Sequence, residues 1–90
     1  MTMTIIFSNS PFDKEIRFDC QKIKMNTEKY GEICILPNYR DTIFDINNST
    51  ISVLDAENKE VQVKITHSAI VKIKNNVVNV FGQFQVMNND

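Results

Sequence analysis

The sequence predicts an all-β domain, a small sandwich or flattened barrel of about eight mostly antiparallel strands. Three observations predict it. Apolar residues recur with a period close to two, as in Val61, Val63 and Ile65 against Gln62 and Lys64. β-branched residues, which suit a pleated surface, are abundant in these runs. Turn-forming residues interrupt the runs at short intervals, and no long stretch carries a helical period.

The elements follow in order. A first strand is expected near 3–8, and Ser8 to Lys14, with Pro11, separates it from the second. The second spans about 15–25, where Ile23 and Met25 alternate with Lys22 and Lys24, and its length suggests a bulge. Gly31 opens a third strand, 31–35, after the polar run Asn26–Tyr30. Pro37 stops it, because proline has no N–H to give a ladder, and Asn38 permits a sharp loop. Strands at 42–46 and 50–54 flank Asn47-Asn48-Ser49. Asp55 to Lys59 leads into a strand at 60–65, with another at 68–74. Asn75-Asn76 then reads as a two-residue type I′ hairpin turn into a last strand at 77–81. One domain over 1–84 with a polar tail over 85–90 is the expected organisation of the 90 residues.

Composition limits the function. Hydrophobic residues make up 42% of the chain, enough for one core. The net charge is −1 and the lysines are scattered among carboxylates, which argues against binding nucleic acid through its phosphates. No apolar run approaches the roughly 20 residues needed to cross a bilayer as a helix, so direct membrane insertion is not expected. Met1 to Phe7 lacks the basic start and small-residue cleavage site of a secretory signal. The two cysteines are too few for a disulfide scaffold, and a reducing, cytoplasmic setting is expected.

No residue pattern demands catalysis. His67 is the only histidine, and no nucleophile motif stands beside it. Cys20 and Cys34 match no zinc spacing and are expected to be buried, inert thiols. The carboxylates, among them Asp41, Asp45, Asp55, Glu57 and Glu60, mostly flank turns and read as solvated charge rather than a hydrolytic pair. The aromatic residues Phe7, Phe12, Phe18, Tyr30, Tyr39, Phe44, Phe81 and Phe84 lack a basic groove that would turn them into base-stacking platforms, so core and interface packing is expected. Gly31 and Gly82 form no phosphate loop. No catalytic, cofactor-binding or metal site is expected.

The least generic segment is Tyr30-Gly31-Glu32-Ile33-Cys34-Ile35-Leu36-Pro37-Asn38-Tyr39. It resembles the Gly-Glu-(Leu/Phe)-Gly-Ile-Leu-Pro-Gly-His pattern of the N-terminal β-sandwich of the F-type ATP synthase epsilon subunit, called delta in mitochondria. Gly31, Glu32, Ile35, Leu36 and Pro37 match that pattern, and Ile33 is a conservative fit. Cys34, Asn38 and Tyr39 stand where the family has Gly, Gly and His. The likeness continues through Ile5–Ser8, Phe18–Met25, Thr50–Val53 and Val61–Phe81. In the last of these, His67-Ser68-Ala69-Ile70-Val71-Lys72-Ile73 lacks the two glycines of the family's Ser-Gly-Gly-Phe-Leu-Glu-Val run. The 90 residues stop before the place of the family's C-terminal helical hairpin, whether that hairpin is naturally absent or has been removed, and neither inhibition nor ATP binding is carried over.

The resemblance implies a non-catalytic rotor subunit without a cofactor. Its implied partners are the gamma subunit and the membrane c-ring, with the alpha and beta subunits reached indirectly. It implies a peripheral place at the cytoplasmic face of a bacterial membrane, or at the matrix face of the mitochondrial inner membrane. The implied contact residues are Gly31 and Glu32 in the turn-and-strand region, and Asn38, Tyr39 and Arg40 in the loop beyond. Arg40 is unusual for the family at this place and could form a lineage-specific ion pair, the other reading being a solvated surface charge. Without the resemblance, the alternative is an unrelated β-sandwich adaptor that binds peptides or proteins through a sheet edge.

Overall fold

The computed structural model describes residues 2–9 and 14–87. They form seven strands and no helix: β1 (Met3–Asn9), β2 (Lys14–Thr27), β3 (Gly31–Ile35), β4 (Thr42–Asn47), β5 (Thr50–Asp55), β6 (Glu60–Lys74) and β7 (Val77–Met87). Neighbouring strands close a ring in the order β1–β7–β6–β5–β2–β1, with β3 attached to β2 and β4 to β6. All pairs are antiparallel except β1 with β7.

The ring is flattened into two faces because β2, β6 and β7 each bend and serve both. The first face runs β4, residues 69–74 of β6, residues 77–82 of β7, β1 and residues 14–20 of β2. The second runs β3, residues 22–27 of β2, β5, residues 60–65 of β6 and residues 84–87 of β7. Long strands that bend at corners are how small barrels close without free edges. The bend in β2 falls at Gln21, where the register with β5 shifts. The Gln21 amide donates to the Asp55 carbonyl at 3.0 Å and to Asn58 Oδ1 at 2.9 Å.

The bend in β6 corrects the sequence expectation. Two separate strands, 60–65 and 68–74, are here one strand whose register slips between Ile65 and Ala69. The β4–β5 turn holds it together: the Asn48 amide donates to His67 O at 2.7 Å, and the Ile65 amide to Ser49 O at 2.8 Å. Hence the described residues form seven strands, where about eight are expected from the sequence. The last strand also runs beyond 81, with Gln85, Val86 and Met87 paired to Lys64, Val63 and Gln62. Residues 85–87, expected to open a polar tail, are therefore strand, and 88–90 lie outside the described residues.

Between the faces sits one core. Phe7, Ile5, Ile23, Met25, Ile35, Ile51 and Val63 are fully buried. The Phe7 and Phe84 rings meet at 5.7 Å in a tilted pair. Burying each such side chain is worth about 1.5–3 kcal/mol. The expected alternation holds where it was read: Val63 and Ile65 point inward while Lys64 is exposed.

Turn chemistry accounts for the asparagines. Every non-glycine residue with positive φ among the described residues is an asparagine: Asn38, Asn48, Asn58, Asn75 and Asn76. Asn75 and Asn76, at φ 52° and 63°, make the type I′ hairpin expected between β6 and β7.

Candidate docking surfaces

The two outer faces differ in chemistry. The second face is mainly polar, with Lys22, Lys24, Ser52, Gln62 and Lys64 in its outward rows beside Leu54 and the exposed Met87. The first carries Ile43, Ile70 and Phe81, which are 66%, 53% and 46% exposed. Register places Asp45 opposite Ile70 and Ile70 opposite Phe81, while Ile43 lies opposite Lys72. These side chains, with Phe44, Ser68 and Ala69, line a shallow groove. Exposed apolar side chains scattered singly need no explanation, and three converging on one face make this the candidate contact surface.

Sequence reading missed this face, although a signal was present. In Ala69-Ile70-Val71-Lys72-Ile73 the inward phase is Ala69, Val71 and Ile73. Ile70 is apolar in the opposite phase. Phe81 is likewise out of phase with Val78 and Val80, and Ile43 with Phe44 and Ile46. An apolar residue in the outward phase of an amphipathic strand is the trace such a surface leaves.

The residues singled out by resemblance fall into two groups. Gly31 and Glu32 begin β3, beside the turn that leads out of β2. Gly31 adopts φ 70°. The Thr27 hydroxyl fastens this turn by donating to Gly31 O at 2.8 Å and accepting the Tyr30 amide at 2.9 Å. Glu32 is exposed, sits opposite Asn26, and joins no ion pair among the described residues.

Asn38, Tyr39 and Arg40 lie beyond the other end of β3, a strand about 13 Å long at a rise of roughly 3.3 Å per residue. Asn38, at φ 68°, is locked to the β6–β7 hairpin turn. Its amide donates to Asn76 Oδ1, and Asn76 Nδ2 donates to Asn38 Oδ1 at 3.2 Å. The Asn75 amide donates to Asp41 Oδ1 at 3.2 Å, adding a second tie. Tyr39 is half-buried against the core, its amide donating to Leu36 O at 3.2 Å. Arg40 is exposed and joins no ion pair among the described residues. The structure therefore separates Gly31 and Glu32 from Asn38, Tyr39 and Arg40, and places neither group on the apolar face.

The remaining candidates take simple places. His67 is exposed at the bend of β6, its Nδ1 3.3 Å from the Thr66 hydroxyl. Cys20 is buried, as expected, but Cys34 is exposed, which corrects the expectation of two buried thiols. Ile33 and Ile35 take the inward phase of β3, so Cys34 must face out. Phe12 lies outside the described residues. Among the described residues no three His, Cys, Asp or Glu side chains gather in a metal-binding group.

No family model and no curated protein matches the sequence. Solved structures do match. One is a chain in the Euglena gracilis mitochondrial ATP synthase, OSCP/F1/c-ring, in rotational state 1, with a TM-score of 0.81 and 14% identity over 94% of this chain and 53% of that one. Another belongs to the central stalk and c-ring of the Tetrahymena thermophila mitochondrial ATP synthase, with a TM-score of 0.67 and 15% identity over 98% of this chain and 65% of that one. This fold occurs in rotary ATP synthases. The chain spans about half to two thirds of the length of these neighbours. At such identities what is shared is the fold, and it is the all-β fold that the Gly31–Pro37 resemblance implied.

Proposed function

We propose that this chain is a non-catalytic central-stalk subunit of an F-type ATP synthase. In this reading it docks on the gamma subunit and on the c-ring. It couples rotation to proton transport and to ATP synthesis or hydrolysis. The observation that carries the proposal is the likeness, over 94% of the chain, to a chain of an ATP synthase assembly containing F1 and the c-ring. The sequence pattern around Gly31 to Pro37 supports it from an independent direction.

The geometry suits the role. A torque-transmitting body makes and breaks no covalent bonds. It needs stiffness and two separate contact regions. A closed ring of strands around a single core supplies the stiffness. In the proposed arrangement the apolar face of Ile43, Ile70 and Phe81 packs on gamma, and alpha and beta are reached through gamma. A ring surface can meet one end of β3, and we assign it the Gly31–Glu32 end, where Glu32 faces a cationic group of a c-subunit loop. Arg40, with Asn38 and Tyr39, then serves a stalk contact at the opposite end. The subunit is peripheral to the membrane, on the cytoplasmic side in a bacterium or the matrix side in a mitochondrion.

A tagged chain recovered from its native membranes, with the bound proteins identified by mass spectrometry, tests this reading. Co-recovery of gamma, beta and c-type subunits is expected. Recovery of none of them, from membranes whose synthase is demonstrably intact, rejects the rotor role and favours the peptide-binding adaptor.

A further inference from the structure

We infer that the free edge of β4 is an acceptor for an extended segment of a partner protein, added as an antiparallel strand. The inference rests on the docking role proposed above and specifies what the partner presents to the apolar face.

β4 pairs with β6 over six successive residue pairs, Thr42↔Ile73 to Asn47↔Ser68, with no shift of register. Among the described residues no strand pairs with its other side. The alternate N–H and C=O groups there lack a ladder partner. Natural edges are usually blunted by proline, a charged side chain (lysine above all), a bulge or brevity. Thr42-Ile43-Phe44-Asp45-Ile46-Asn47 has no proline, lysine or bulge, and Asp45 is its single charge. The other appended strand, β3, is shorter, starts at a positive-φ glycine and is followed closely by Pro37.

The side chains define the occupant. Ile43 is the most exposed large hydrophobic residue among those described, and it sits on this edge beside Ile70 and Phe81. Asp45 is exposed in the same outward phase and joins no ion pair among the described residues. The turn residues Thr27, Glu28 and Lys29 stand across a groove from Asp45–Asn47, which confines the acceptor to Thr42–Asp45. An antiparallel strand laid there places one residue opposite Ile43 and, two positions earlier in its own sequence, another opposite Asp45. Charge and apolar complementarity make the partner residue facing Ile43 aliphatic and that facing Asp45 a lysine or arginine.

The test uses the 90-residue chain and a blocked peptide, acetyl-Thr-Thr-Lys-Val-Ile-Thr-Thr-amide, followed by amide NMR and hydrogen exchange. Binding should slow exchange in Thr42–Asp45. Ile43→Lys should weaken it by about tenfold or more, by putting a gatekeeper charge on the edge. Asp45→Lys should weaken it by about two- to fivefold and favour a peptide with glutamate in place of lysine. No binding, binding without protection in β4, or indifference to Ile43→Lys overturns the inference. So does self-association through β4 that excludes the peptide. Because co-recovery with synthase subunits is measured separately, a peptide that fails while gamma and c-type subunits are recovered sinks this inference alone.

Discussion

Cys20 and Cys34 show how strand phase sets the chemistry of a side chain. Cys20 is fully buried, and its thiol donates to Met3 O at 3.6 Å. Burial, and then the neighbouring charge of Asp19, push this thiol from 9.0 up to about 11. Cys34 points outward from β3 into solvent. Iodoacetamide at neutral pH should therefore label Cys34 in the folded chain and reach Cys20 only after unfolding, counted by mass spectrometry. A pH dependence follows with a definite sign. Above about pH 9 the unfolded chain loses the Cys20 proton while the folded chain keeps it, so stability falls as pH rises toward 11. Melting temperatures across that range should fall more steeply for the native chain than for Cys20→Ala. The burial of Cys20 was read from residue type alone. That reading failed at Cys34, because burial in a strand depends on phase.

The bends decide the architecture at the scale of elements. Gly82 lies where β7 crosses from one face to the other, opposite Ala69 at the bend of β6. A Cβ added there would stand 2.5 Å from Ser68 O and 2.8 Å from Ala69 Cβ. Both neighbours belong to a strand held by backbone hydrogen bonds, so they cannot move cheaply. Gly82→Ala should cost about 1–3 kcal/mol in urea unfolding. Gly31→Ala meets nothing within 4 Å and should cost about 1–2 kcal/mol, from its positive φ alone. The strands themselves were legible, because alternation and asparagine turns are local signals. The continuity of β6 through His67 was not legible, since it depends on hydrogen bonds from Asn48 and to Ser49, far away in sequence.

At the scale of the whole molecule, the body presents an apolar face, a mainly polar face and two loop-bearing ends. Glu32→Lys tests the assigned ring-facing end. The side chain is exposed and joins no ion pair among the described residues, so thermal stability should change by less than about 0.5 kcal/mol. In the assembled synthase, ATP-driven proton pumping at a matched ATPase rate should fall. If the substitution unfolds the chain, the placement of Glu32 is wrong. Sequence reading named Glu32 as a contact residue and the neighbouring loop, Asn38 to Arg40, as a second candidate. The folded chain puts a whole strand between them. It also assembles Ile43, Ile70 and Phe81, which are 27 and 11 positions apart in sequence, on one face that no local pattern could have joined.

By itself the sequence determined that this chain is all-β, where its asparagine turns fall, and which pattern near Gly31 resembles a rotor subunit. These are local properties: period, turn conformation and short motif each live within a few residues. Only the tertiary structure decided that three strands bend to serve two faces, that β4 keeps an open edge, and which outward apolar residues become neighbours. Those outcomes depend on register between distant strands, and one residue of register moves every side chain to the other face.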